Sequence, residues 1–137
     1  MSIQNKLILR RFFEELFNQG NLAAADEIVS ETYVNHNAVP GEAPGRAGLT
    51  QFIAYTRSAF RDLNFTIDDQ IAEGDKVTTR WTATGIHQGA FAGVPATGKA
   101  VAITAINIHR VTNGQIQEGC LNWDALGFLQ QVGALPT

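Results

Sequence analysis

The sequence predicts an α+β fold, a cone-shaped and strongly curved antiparallel sheet with three N-terminal helices and a C-terminal helix, enclosing a pocket. Three observations predict it. Apolar residues repeat with helical spacing up to about residue 60, the period changes to two from Leu63 onward, and a last helical pattern follows the final strand. The chain of 137 residues suits a single domain, residues 1–137, that is large enough to bury its own core.

The first third of the chain predicts two helices. Residues 3–18 have apolar side chains at the i, i+3, i+4, i+7 and i+8 positions of an amphipathic helix. These side chains are Leu9, Phe12, Phe13, Leu16 and Phe17. Gly20 marks the predicted end of this helix, and Asn21 is the predicted cap of a second helix that runs to about Val29.

A short extended segment and a loop come next. Residues 32–37 are β-like, and residues 38–48 predict an irregular loop because two prolines and three glycines oppose regular structure there. The spacing after residue 48 predicts a third helix. Its apolar face consists of Leu49, Phe52, Ile53, Thr56 and Phe60.

Four strands and a closing helix are predicted after that. The strands begin at Leu63 and then cover 77–87, 101–111 and 116–123. A loop of glycine and proline residues, 88–98, separates the second strand from the third, and an Asn-Gly turn at 113–114 predicts a hairpin between the last two. The final helix is predicted to start at Asp124 and to stop at Gly133.

Composition excludes several classes of function. The chain has 10 Lys and Arg against 13 Asp and Glu, and this net charge of −3 argues against a nucleic-acid surface. A single cysteine, Cys120, cannot form an intrachain disulfide or a cysteine cluster, and three scattered histidines predict no metal site. Without a signal-type or membrane-spanning apolar stretch, the predicted location is cytoplasmic, with no membrane partner.

Four segments together resemble the SnoaL-like proteins, the polyketide or ester cyclase branch of the nuclear-transport-factor-2-like superfamily. They are residues 33–36, 93–98, 110–114 and 123–133, and the resemblance covers nearly the whole chain. It implies the α+β cone, usually assembled as a homodimer through the sheet. It also implies ring closure by intramolecular aldol condensation, with no metal and no organic cofactor.

The resemblance also points to particular positions. The aldol cyclases use a carboxylate on the last strand as general acid and base, and this chain has Leu121 at the matching position. A neighbouring histidine of the cyclases corresponds to Asn107. Both positions depart from the cyclase pattern, whereas Asn35 and Asp124 match it.

Asp124, His109 and His36 are the candidate catalytic residues. A buried carboxylate can both accept and donate a proton if desolvation lifts its pKa, and histidine titrates near neutral pH. Each has a structural alternative: an Asp directly before a helix is a good N-cap, and a single strand histidine is often structural.

A small apolar ligand or substrate is the predicted partner. Strand alternation turns Trp81, Asn107, His109, Leu121 and Trp123 toward the pocket. The predicted ligand-binding residues are Tyr33, Asn35, Trp81, Phe91, Asn107, Leu121 and Trp123. Their alternative role is plain core or lid packing.

The opposite sheet face carries Ile106 and Ile108 among Thr and Arg residues, which predicts a homodimer surface unless the C-terminal segment covers them.

Three functions remain open from the sequence. The first is a cofactor-free acid–base enzyme, of lyase or isomerase type, acting on an apolar carbonyl-containing metabolite by aldol cyclisation or isomerisation. The second is a non-catalytic module that binds a small apolar ligand, which the leucine at position 121 favours. The third, an epoxide hydrolase, needs an inward Asp-Arg-Asp group, for which only Arg80 and Asp124 are available.

Overall fold

The computed structural model describes residues 2–136, and its elements follow the predicted order of helices, strands and a last helix. They are α1 (Ser2–Arg11), a π-helical segment (Phe12–Asn18), a 3-10 turn (Leu22–Ala24), α2 (Ala25–Ile28), β1 (Val29–Asn35), α3 (Gly45–Ala59), β2 (Phe60–Glu73), β3 (Lys76–His87), β4 (Ala100–Thr112), β5 (Gln115–Trp123) and α4 (Ala125–Gln131). No helix within 2–136 is long and apolar enough to cross a lipid bilayer.

The sheet is open and curved, with five strands in the order β1-β5-β4-β3-β2. The α+β cone is confirmed, with one correction to the predicted antiparallel sheet. The strands from β2 to β5 pair antiparallel, but β1 runs parallel to β5 and sets Asn35 beside Gly119. Because β1 and β5 are far apart in the chain, no tight turn forces them to run in opposite directions.

The first helix is confirmed, and its second half is wider than an α-helix. The π-helical segment ends with the backbone N–H of Gln19 donating to the carbonyl of Glu14, five residues earlier. Its buried side chains are Phe12, Phe13, Leu16 and Phe17. All four side chains belong to the main hydrophobic core.

Three local predictions need correction. Asn21 makes no side-chain capping bond, and a 3-10 turn follows it before the single turn of α2. The extended segment starts earlier than predicted, at Val29 rather than residue 32, because it pairs with β5. The loop after it is shorter, since α3 already begins at Gly45, directly after Pro44, whose missing N–H is not needed in the first turn of a helix.

Alternate residues of the long strands face the helices. In β3 the buried residues alternate with half-buried or exposed neighbours, and they are Val77, Thr79, Trp81, Ala83, Gly85 and His87. The same core contains the apolar face of the N-terminal helix. The predicted inward parity is therefore confirmed. On the outer face Ile106 and Ile108 are 48% and 43% exposed in the single chain.

The last helix closes one end of the sheet, as predicted. The Asp124 carboxylate caps it by accepting a hydrogen bond of 2.9 Å from the backbone N–H of Gly127. Phe128 on this helix is fully buried against Phe60 and Phe91, with ring centroids 6.1 and 5.6 Å away. These rings belong to a second, smaller hydrophobic core, separate from the one that contains the N-terminal helix.

Candidate functional site

The curved sheet and the helices enclose a cavity of about 800 Å³. Its wall is mainly aromatic and aliphatic, with residues from the π-helical segment, α3 and every strand. The apolar part of the wall includes Phe12, Phe13, Phe17, Leu49, Phe60, Leu63, Phe65, Trp81, Phe91, Val101, Ile103, Leu121 and Trp123. A cavity of this size and lining suits a drug-sized apolar ligand that a few polar groups orient.

Two polar side chains meet on the floor of the cavity, above Gly119. A β-carbon at this position would lie 2.6 Å from the hydroxyl oxygen of Tyr33 and 2.9 Å from Nε2 of His109. The two groups come from β1 and β4, the strands on either side of β5. Only the absence of a side chain at Gly119 leaves room for both, and both line the cavity.

Burial keeps both groups uncharged at neutral pH. His109 is 1% exposed, and loss of water lowers the pKa of its imidazole to about 4. Burial is also the main cause that raises the pKa of the Tyr33 hydroxyl, and the negative charge of Glu42 raises it further. The imidazole is therefore neutral, with one ring proton, and the phenol keeps its proton across the physiological range.

The environment of His109 also favours one tautomer. Within residues 2–136, its Nδ1 is buried and finds no hydrogen-bond partner. The rings of Phe12 and Phe13 pack on the imidazole, with centroids 5.1 and 6.5 Å away. An unpaired buried acceptor is tolerated better than an unpaired buried N–H, so we assign the proton to Nε2, which faces the cavity. Tyr33 and His109 then both present a donor to the same space.

Trp81 and Asn107 form a second polar contact in the wall. The indole N–H donates to the Asn107 amide oxygen, and the Asn107 amide nitrogen donates to the carbonyl of Cys120 at 3.4 Å. Trp81 packs on Phe65 with ring centroids 4.6 Å apart. The Asn107 amide thus fixes the orientation of the Trp81 indole, and both its oxygen and its nitrogen already have a hydrogen-bond partner in the protein.

Position 121 faces the cavity, as predicted. Leu121 pairs directly with Asn107 across β4 and β5, so the two positions that depart from the cyclase pattern are neighbours in the wall. Neither residue can donate or accept a proton at this place. An acid or base in this cavity must therefore be a residue other than these two.

Aromatic rings and the loop 36–44 form the mouth. Phe91 stacks on Tyr55 with centroids 5.5 Å apart and meets the edge of Trp123 at 6.0 Å. On the other side, Asn35 lies at the end of β1 and donates 3.0 Å to the carboxylate of Glu42. These five side chains all line the cavity.

The structure does not bring three sequence candidates to the cavity. Asp124 is exposed and caps α4. His36 is also exposed, and its Nε2 lies 3.0 Å from the carboxylate of Glu118, which in turn binds Arg110. Arg80 pairs with Asp68 at 3.7 Å, away from the lining residues. The Asp-Arg-Asp group of an epoxide hydrolase is therefore not assembled in the described chain.

Sequence reasoning missed Gly119 and Glu42. No local pattern marks a glycine whose importance lies in the side chains of two neighbouring strands. Glu42 lies in a proline- and glycine-rich loop, where a charged residue usually faces water. Its only sequence signal is its position seven residues after Asn35 in a loop next to a predicted pocket strand.

No group of three or more metal-binding side chains occurs in 2–136.

The close approach of Tyr33 and His109 to Gly119 predicts whether an alanine at this position stabilises or destabilises the protein. Alanine in place of glycine ordinarily stabilises a strand interior by about 0.5–1 kcal/mol. The Gly119→Ala methyl would contact Tyr33 and His109 at 2.6 and 2.7 Å, so we expect the variant to lose about 1–3 kcal/mol in urea unfolding. In the double variant with Tyr33→Phe, we expect part of this loss to disappear. Equal or higher stability of Gly119→Ala would contradict the geometry.

Comparison with known proteins supports the same fold. TsrD from Streptomyces laurentii is 28% identical, with 98% of each chain covered and a TM-score of 0.91. IdmH from Streptomyces antibioticus, described as a candidate polyketide cyclase, is 32% identical over 95% of this chain and 99% of its own, with a TM-score of 0.82.

AclR from Streptomyces galilaeus, described as a candidate hydroxylase, is 23% identical over 99% of this chain and 100% of its own, with a TM-score of 0.80. At this identity it shows only that the fold is shared. None of the curated proteins compared with the chain matches it in sequence. Residues 7–132 match the family described as SnoaL-like polyketide cyclase. With the cone fold and its apolar cavity, this match over most of the chain shows that the protein belongs to the SnoaL-like polyketide cyclase family.

Proposed function

We propose that the protein catalyses cofactor-free proton transfer on a flat, apolar, carbonyl-containing metabolite, with aldol cyclisation or isomerisation as the outcome. The observation that carries the proposal is the meeting of two uncharged hydrogen-bonding groups, Tyr33 and His109, in an otherwise apolar cavity. The 32% identity to IdmH supports a polyketide-like substrate.

In this proposal Tyr33 and His109 hold the substrate oxygen. A ketone that loses an α-proton becomes an enolate, and an aldol addition produces an alkoxide, so negative charge builds up on oxygen in both steps. Two donors already in place above Gly119 would stabilise that charge without rearranging. Their effect is larger in a water-poor cavity than in solution, because the effective dielectric constant is lower there.

The remaining wall residues would select and orient the substrate. Trp81, Phe91 and Trp123 provide flat apolar surfaces, and Leu121 adds bulk beside Asn107. Asn107 would act mainly by fixing the Trp81 indole. We assign no catalytic role to Asp124 or His36, because both lie outside the cavity lining and bind other groups.

The second candidate function is a non-catalytic module that binds an apolar ligand in the same cavity. The observation that favours it is the Leu121–Asn107 pair, which lacks acid–base chemistry at the position where the cyclases have it. The two functions differ in one measurable property, which is proton exchange at carbon next to a bound carbonyl.

The test uses α-tetralone, a flat apolar ketone. Binding is measured by quenching of the fluorescence of Trp81 and Trp123, and exchange of the α-protons in D₂O is followed by proton NMR. We expect saturable binding and exchange faster than in buffer. Removal of one oxyanion donor by Tyr33→Phe should slow exchange about 10²-fold. The matched control Thr79→Val removes another buried hydroxyl, one outside the cavity lining, and should exchange like the wild type.

Two outcomes of this test would overturn the proposal. Binding of α-tetralone without exchange would establish the binding module instead of the enzyme. No binding at all would reject a flat apolar ketone as the ligand class.

We further propose a homodimer through the outer sheet face. Its support is the exposure of Ile106 and Ile108 on a long strand whose opposite face is buried. We expect light scattering to give the mass of two chains for the wild type and of one chain for Ile106→Lys. Ile71→Lys, at an apolar residue 64% exposed on the edge strand, should remain dimeric. A monomeric wild type would refute the dimer.

Cytoplasmic location remains a prediction from the sequence.

A further inference from the structure

We propose that Glu42 is the catalytic base and acid of this cavity, in place of the carboxylate that position 121 lacks. The inference rests on the proposed function, because it names the group that removes the α-proton from the substrate. Removal of that proton leaves the negative charge on the substrate oxygen that Tyr33 and His109 stabilise. It assigns this chemistry to the loop between β1 and α3 rather than to the last strand.

Glu42 is the only carboxylate in the cavity lining of the described residues. The side chain is half-buried at the mouth, and the lining around it is uncharged. Its charge acts on the Tyr33 hydroxyl, whose pKa it raises. A substrate carbonyl held on the floor and a carboxylate on the rim would therefore face the same bound molecule.

A chain of hydrogen bonds ties this carboxylate to position 121. Asn35 donates from its amide nitrogen to Glu42 Oε2 at 3.0 Å and accepts from the backbone N–H of Asn37 at 2.9 Å. The Asn37 amide oxygen in turn accepts 2.6 Å from the backbone N–H of Leu121. Two asparagines thus link the Glu42 carboxylate to the backbone of the strand position from which the family carboxylate is missing.

The loop is also sterically fixed. Gly45 has a φ of +73°, and a β-carbon there would lie 2.5 Å from the carbonyl oxygen of Glu31. At Gly48 a β-carbon would lie 1.8 Å from the carbonyl oxygen of Ala43. Both glycines lie in the first turn of α3 and allow backbone approaches that no larger residue permits, so this turn packs tightly against β1 and against the end of the loop.

Only one carboxylate oxygen is occupied. Asn35 binds Oε2, and in the part of the chain that the structure describes Oε1 has no hydrogen-bond partner. One oxygen thus orients the group, and the other is available to a substrate proton.

The proposed step is balanced without any co-reactant. Glu42 takes a proton from the carbon next to the substrate carbonyl, and the C–H electron pair becomes the enolate. The enolate carbon forms a C–C bond with a second carbonyl carbon of the same molecule, whose π electrons move to its oxygen as an alkoxide. Protonated Glu42 then returns its proton to that alkoxide, so the enzyme ends unchanged.

The experiment measures α-proton exchange of α-tetralone with three proteins. We expect Glu42→Gln to lose about 10²–10⁴-fold in exchange rate while its fluorescence-detected affinity changes less than about threefold. The matched control Glu31→Gln removes the same charge from an exposed position on β1 and should exchange like the wild type.

Chemical rescue separates a catalytic carboxylate from a structural one. Glu42→Ala should recover exchange, with saturation, when formate is added, whereas Glu31→Ala should not respond. Full activity of Glu42→Gln would overturn this inference and leave the proposed function intact. Loss of exchange without rescue, or together with loss of binding, would make Glu42 a positioning residue. Absence of exchange in the wild type would instead reject the proposed function itself.

Discussion

Burial of His109 and Tyr33 is the constraint on which the rest of the candidate site depends, and aromatic rings cover the imidazole of His109. The rings are those of Phe12 and Phe13 at the start of the π-helical segment, and both pack on the imidazole. Two polar groups are thereby held in a place that water does not stabilise. They remain because both are uncharged there, and an uncharged hydrogen-bonding group costs far less to bury than an ion.

Glycine at position 119 leaves the space in which the two buried groups, Tyr33 and His109, come together. The strand pairing would hold Tyr33 and His109 apart if a side chain stood between them on β5. With no side chain there, the two groups share one space at the floor of the cavity. The parallel pairing of β1 with β5 sets Tyr33 close to this space, so the edge strand supplies one of the two polar groups of the candidate site.

Much of this arrangement follows from local sequence patterns. The period of two placed Trp81, Asn107 and Leu121 on the inner face, and each lines the cavity. The Asn-Gly turn and the Asp124 cap were also readable, because turns and caps depend on residues close together in the chain.

The features that the sequence did not reveal depend on distant pairing. The parallel edge strand has no local signal, because its partner lies more than eighty residues away, as the pairing of Asn35 with Gly119 illustrates. The position of Glu42 follows from the bonds that Asn35 and Asn37 make across the mouth. A loop can be recognised from its prolines and glycines, but the surface over which it folds cannot.

The most direct measurement is the pH titration of the His109 ring nitrogens by ¹⁵N NMR, assigned by the signals that His109→Gln removes. The account predicts a neutral imidazole with its proton on Nε2 at pH 7 and a midpoint near pH 4, because burial disfavours the charged ring. A midpoint near the ordinary value of 6.5 would mean that water reaches the imidazole. The apolar floor, and with it the paired donors above Gly119, would then not exist as described.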